Sequence, residues 1–305
     1  MKDTTEFVIG TRVAEAMTAG RPVVALETTL ITHGFPHPDG LAIAAELEAA
    51  IASEGAQPAT IGIADGRIHV GLGHEDLERL ASSGSAAKVN LSNLAAHLMP
   101  GSWGSTTVAA TLFVARRAGI RVFATGGIGG VHRKAAETGD VSADMTALGR
   151  FPVAVVCAGA KAVLDLAHTV EMLETLGVPV FGFQTNEFPA FYSRSSGLPL
   201  DRCFDAVGAL AGAVHAHFAL ETGTGIVVAN PVPAEHELPR EVWQPAIERA
   251  LADAAVAGLR GRAVTPFLLE RLHALTEGAS AFSNRALLIS NARLAGRLAA
   301  AMRHR

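Results

Sequence analysis

The chain has 305 residues, 49% apolar and 18% charged, a balance that supports a large buried core and excludes a mainly disordered chain. Its net charge of −4 leaves no basic excess to neutralise a phosphate backbone, which argues against nucleic acid as a partner, although one local positive pocket is enough for a small anion. No uninterrupted apolar run reaches the roughly 18–20 residues of a membrane span; the stretch 206–220 comes closest and holds His215 and His217.

Short Val/Ile-rich runs predict strands over 22–26, 60–64, 67–70, 121–124, 153–157, 178–184 and 225–229. Longer periodic patterns predict helices over 41–54, 75–82, 106–118, 161–176, 204–220, 245–257, 266–276 and 284–302. Several strands are apolar throughout, as strands covered on both faces should be. The alternation predicts an α/β fold with an open, mostly parallel sheet, helices on both faces and a helical C-terminal portion. There is no Pro/Gly/Ser-rich linker, repeat or charge block, and the proline-rich stretch 231–240 reads as a loop, so a single domain over 1–305 is expected. Cys157 and Cys203 do not make a disulfide framework, and residues 1–10 lack a signal-peptide apolar core. The cytoplasm is therefore the expected location.

In such sheets ligands bind beyond the carboxyl ends of the strands, so the polar residues just past those ends matter most. Glu27 directly follows the strand 22–26. A carboxyl there can be desolvated and kept protonated for acid catalysis, or it can merely close a loop. The glycine run 126–130, followed by His132, comes after the strand 121–124. It fits neither the dinucleotide pattern nor a P-loop, and it reads equally as a tight turn or a phosphate cradle. Asp140, Ser142 and Asp144 can bind a hard divalent cation or cap the helix that follows.

Lysine is used four times, at Lys2, Lys88, Lys134 and Lys161, against 21 arginines among the 25 basic residues. Arginine cannot lose its proton near neutrality and so cannot serve as an amine nucleophile. Lys161 follows the apolar strand 153–157 and the small residues 158–160, at the expected start of a helix. Burial and the helix terminus would both favour a neutral amine able to attack a carbonyl carbon. The competing reading is a lysine that reaches solvent or binds phosphate.

The chain resembles the pseudouridine-5′-phosphate glycosidases, also called the indigoidine-synthase-A-like family, over nearly its whole length. The resemblance rests on ALETTLITHG at 25–34, QPATIGIADGRIHVGL at 57–72, GSTTVAATL at 104–112, VFATGGIGGVHR at 122–133, DVSAD at 140–144, VVCAGAK at 155–161, VPVFGFQT at 178–185, VVANPVP at 227–233 and TPFLLERL at 265–272. It departs only in flanking positions such as His37-Pro38-Asp39. The resemblance implies a three-layer α/β/α sandwich that assembles as a homotrimer. It also implies reversible cleavage of pseudouridine 5′-phosphate to uracil and ribose 5-phosphate with a divalent metal, usually Mn2+. By the same resemblance Glu27 is the proton donor, Lys161 the nucleophile and Asp140 the metal ligand. Lys88, Val108 and Ser142-Ala143-Asp144 contact substrate, with Thr125 and His132 expected to help at the phosphate. Lysine imines also serve aldolases and other lyases of phosphosugars, and a fold alone would equally suit a non-catalytic sensor.

Overall fold

The structure is a computed structural model and describes residues 7–35, 39–82, 86–259 and 264–303. Lys2, His37 and Pro38 lie outside the described residues. The strands are β1 (Phe7–Ile9), β2 (Val23–Leu26), β3 (Gln57–Ala64), β4 (Arg67–Val70), β5 (Ala87–Val89), β6 (Gly104–Thr106), β7 (Val122–Ala124), β8 (Val131–His132), β9 (Ala154–Cys157), β10 (Leu164–Asp165), β11 (Val180–Phe183), β12 (Arg202–Phe204) and β13 (Ile226–Ala229). Among the described residues, all but the antiparallel ribbon of β8 and β10 join one 11-stranded sheet.

Its main path runs β1-β4-β3-β2-β7-β9-β13-β11-β12, and every pairing from β3 through β12 is parallel. β3 pairs antiparallel with β4 and with β6, and β6 carries β5 at the margin. β9 and β13 are buried at every residue, which matches their unbroken apolar sequences AVVC and IVVA.

The helices are α1 (Thr11–Thr18), α2 (Asp39–Ser53), α3 (His74–Ser82), α4 (Val108–Ala118), α5 (Ala135–Thr138), α6 (Ala143–Leu148), α7 (Leu166–Thr175), α8 (Val207–Ala219), α9 (Arg240–Val256), α10 (Val264–Leu275) and α11 (Ala279–Arg303). From β2 the chain crosses through α2 to β3 on one side, and later through α4 to β7 on the other. The β2–α2–β3 crossover joins parallel strands and is expected to be right-handed, whereas α4 enters from β6, which runs antiparallel to β3. α11 packs against α2 and α8, while α4 packs against α6. The result is the expected three-layer α/β/α arrangement with a helical C-terminal portion. The strand order reverses between β2 and β7, which opens a crevice beyond their carboxyl ends.

Several boundaries differ from expectation, each for a local reason. The helix expected from residue 161 begins only at Leu166, because Asp165 caps it by accepting from the His168 N–H at 3.1 Å and Leu164 and Asp165 pair with β8 first. The helix expected from residue 106 begins at Val108. Thr106 belongs to β6 and Thr107 is the cap, with Gly119 at φ 81° closing the far end. Phe204 ends an edge strand and does not start a helix. α9 starts before Pro245 and runs through it. β1, β5, β6, β8, β10 and β12 are two or three residues each, too short to show a period.

Candidate active site

Beyond the ends of β2, β5 and β9 lies a cavity of about 190 Å³. Glu27, Lys88, Lys161, His132 and Asp140 line it, together with Val108 and the Ser142-Ala143-Asp144 run. Two larger hollows of about 560 and 630 Å³ lie elsewhere and contain none of these residues.

Glu27 leaves β2 at the point where the strand order reverses. The turn after it is held in place by hydroxyl groups. Thr28 Oγ1 donates to the Ile61 carbonyl at 2.9 Å, and Thr29 Oγ1 donates to the Thr106 carbonyl at 2.7 Å. The Glu27 side chain is almost fully enclosed, at 9% exposure, and its Oε1 accepts from Thr125 Oγ1 at 2.5 Å. Burial pushes the Glu27 carboxyl above its ordinary range, against the opposing pull of Lys161 and the Thr125 hydroxyl.

Lys161 follows β9 through a turn at Gly159. There φ is 80°, and an added Cβ would meet the Pro189 carbonyl oxygen at 2.3 Å, so only glycine fits. The Lys161 N–H donates to the Ile128 carbonyl at 3.1 Å, which binds the turn to the glycine loop. The side chain is half-buried. The helix N-terminus expected to act on this amine is absent, because α7 starts downstream and is already capped. Lys88 reaches the cavity from β5, where it pairs with Ser105 of β6. Burial, followed by the charge of Lys161, pulls the Lys88 ammonium below its usual range. Lys134 is exposed and does not reach the cavity.

The two aspartates divide their tasks. Asp144 Oδ1 accepts from the Ala109 N–H at 2.9 Å and Oδ2 from the Gly129 N–H at 2.7 Å. It thereby ties the first turn of α4 to the glycine loop, where a carboxylate also complements the helix dipole. Ser142 caps α6 by accepting from the Asp144 N–H at 3.2 Å. Asp140 keeps its carboxylate free for the cavity, 3.8 Å from His132 Nδ1. Burial holds the His132 ring below its ordinary range, opposed by Asp140 and reinforced by the two lysines.

The described residues contain no group of three or more His, Cys, Asp or Glu side chains able to cage a metal ion. A fully protein-bound site does not fit, but an oxygen-loving divalent ion that keeps most of its waters and rests on Asp140 does.

The glycine run proves to be a packing device. The N–H groups of Ile128, Gly129 and Val131 donate to Gly159, Asp144 and Thr169. A Cβ at Gly129 would meet Ser142 Oγ at 2.2 Å and Asp144 Oδ2 at 2.7 Å. Gly129→Ala is therefore expected to destabilise the protein by about 1–3 kcal/mol through overpacking, measured by denaturant unfolding. Thr125 does not reach the cavity wall. Its hydroxyl is spent on Glu27, so it stands behind the carboxyl.

Sequence reasoning missed Thr29, Asn90 and Thr107 among the polar lining residues. Each lies within two residues of one already singled out, so adjacency was the available signal.

The family described as "Indigoidine synthase A like protein" matches residues 12–301. A pseudouridine-5′-phosphate glycosidase of Methylobacterium nodulans is 52% identical over 291 residues, 95% of this chain and 86% of that protein. One from Paracoccus denitrificans is 50% identical over 95% of this chain and 96% of its own length. The crystal structure of the prealnumycin C-glycosynthase in complex with ribulose 5-phosphate superposes with a TM-score of 0.91 at 37% identity, covering 99% of this chain and 98% of the other. An indigoidine synthase A-like protein from Thermotoga maritima gives a TM-score of 0.90 at 35% identity, with 99% of both chains covered. With the family matched across almost every described element and relatives near half-identical over nearly the full length, this chain belongs to the indigoidine-synthase-A-like family, that of the pseudouridine-5′-phosphate glycosidases.

Proposed function

We propose that this enzyme cleaves the carbon–carbon glycosidic bond of pseudouridine 5′-phosphate, giving uracil and ribose 5-phosphate, through an imine between Lys161 and the opened ribose. The observation that carries the reading is the meeting of a buried Glu27, whose carboxyl burial pushes above its ordinary range, and the Lys161 amine in one small cavity. The relatives' names supply the substrate.

The chemistry explains the residue types. Ordinary glycosidases protonate a leaving heteroatom between two carboxyls, whereas here uracil leaves through carbon. Glu27 gives a proton to the ring oxygen as the C1′–O4′ bond breaks, and the Lys161 nitrogen bonds to C1′. Glu27, now a carboxylate, takes a proton from the Lys161 nitrogen, which regains its lone pair, and passes it to uracil C5. The nitrogen lone pair forms C1′=N as the C1′–C5 pair withdraws into the base, which leaves as uracil. Water hydrolyses the protonated imine, freeing the aldehyde sugar and the amine. Lys88 offers a compact cation to the phosphate, beside the first turn of α4 at Val108. A divalent ion such as Mn2+, held by Asp140 through water, would add Lewis-acid charge near the phosphate.

Purified protein with manganese is expected to liberate uracil from pseudouridine 5′-phosphate. Absence of release by folded protein refutes the reading. For Asp140→Ala, the manganese concentration giving half-maximal rate should rise at least about tenfold; an unchanged value would move the ion elsewhere. Thr125→Val removes a hydrogen bond that favours the Glu27 carboxylate, so the Glu27 pKa rises further. The basic limb of the pH–rate profile should shift to higher pH and kcat should fall about 10- to 100-fold through lost positioning, a barrier increase of about 1.5–3 kcal/mol.

A homotrimer in the cytoplasm belongs to the same proposal. Light scattering at three times the chain mass would support the trimer. Both cysteines are free, in keeping with a reducing compartment, and among the described residues no helix is long and apolar enough to cross a membrane.

A further inference from the structure

A pair of buried amides stands behind the catalytic carboxyl. Asn291 on α11 is 0% exposed. Its Nδ2 donates to the Thr125 carbonyl at 2.8 Å and to the Gly126 carbonyl at 3.4 Å. Its Oδ1 accepts from Asn230 Nδ2 at 2.8 Å. Asn230 directly follows β13. Its backbone N–H donates to the Cys157 carbonyl at 2.8 Å, and its Nδ2 also reaches Ser290 Oγ at 3.1 Å. The two side chains therefore link the ends of β7 and β13 across β9, the strand that leads to Lys161.

The position is unusual for a polar side chain. The surrounding core is built from Leu287, Leu288, Leu294 and Leu298 of the same helix, and a leucine at 291 would add to it. Burying an amide among such residues is unfavourable unless its groups are paired. Asn291 is paired, and its main partner is the peptide of Thr125. That residue's hydroxyl in turn donates to Glu27 at 2.5 Å. The hydrogen bond thus fixes a backbone carbonyl whose own side chain aims the carboxyl. An apolar residue would fill the volume but fix no direction.

We propose that Asn291, held by Asn230, is a positioning residue for the reaction: it locks the Thr125 peptide so that the Thr125 hydroxyl holds Glu27 in line with Lys161. The inference rests on the reading of Glu27 as proton donor. Asn291 touches no substrate. It acts through Thr125.

The test is a double-mutant cycle of Asn291→Ala and Thr125→Val, with kcat, KM and the pH–rate profile of uracil release measured for all four proteins. Asn291→Ala is expected to lower kcat about 10- to 100-fold while KM changes by less than about threefold. Its basic limb should move to higher pH, as in Thr125→Val, and the double variant should be no worse than the weaker single one. Multiplying losses, or a lowered melting temperature with an unmoved pH profile, would overturn the proposal. Should Asn291→Ala fail to fold, Asn230→Ser is read in the same way, and an unmoved profile there overturns it equally. If the wild type releases no uracil, the functional reading fails and this one with it. Wild-type turnover with unmoved variants removes the relay alone.

Discussion

Replacing Lys161 with alanine is expected to abolish both turnover and covalent capture of the sugar. Incubation of the wild-type enzyme with ribose 5-phosphate and borohydride should give an irreversible adduct, located by peptide mass spectrometry at Lys161. The alanine variant should give none, and its kcat should fall by at least about 10³-fold, because the C–C bond then has no nitrogen lone pair to drive its departure. Lys161→Arg should fail as completely, since a guanidinium does not lose its proton near neutrality. An undiminished adduct in Lys161→Ala would move the nucleophile, with Lys88 the next amine on the cavity wall. Trapping alone does not separate this reaction from an aldolase-type cleavage; release of uracil does.

Glu27→Gln should cost about 10²–10⁴ in kcat, the usual range for loss of a placed general acid. It should also erase the basic limb of the profile, which falls as Glu27 loses its proton. The same substitution carries a stability signature. Burial raises the folded-state pKa of Glu27 above the ordinary value of 4.5, so the folded chain holds this proton more tightly than the unfolded chain does. Stability from this group is fully present below the unfolded pKa and is lost as pH rises through the folded one. Glutamine does not titrate. The melting temperature of Glu27→Gln should therefore gain on the wild type between acid and neutral pH, giving a more stable and nearly inactive protein. Parallel melting curves across that range would show that Glu27 titrates normally and is no proton reservoir. A stabilising, inactivating change is expected where an enzyme keeps an unfavourable group for its chemistry.

The two arguments used on the bare chain, strand ends and scarce lysine, led to residues that the fold gathers in one cavity: Glu27, Lys88 and Lys161. Both rest on local rules. An apolar strand must end where its chain turns, and a lysine kept among arginines suggests a need for a different base. Where those rules were extended to a helix dipole at residue 161 they failed, because Asp165 moved the helix start downstream and a two-residue ribbon took up the intervening chain.

Asp140 and Asp144 show the limit most plainly. Within DVSAD both are acids two residues from a serine, and cation binding and helix capping suited either. The division depends on where the Ala109 and Gly129 N–H groups lie, 35 and 15 residues away from Asp144 along the chain. Asn291 left no local trace at all, since its partners Asn230 and Thr125 are 61 and 166 residues distant.

Alternating strands and helices, the apolar strands that must be covered on both faces, and the polar groups just past their ends were encoded in short windows, because burial period and turn chemistry act between near neighbours. Which carboxylate faces the cavity, that the Gly129 amide is spent on Asp144, and what stands behind Glu27 were settled only by packing. Hydrogen bonds have direction, and that direction is set by groups the chain brings together from far apart.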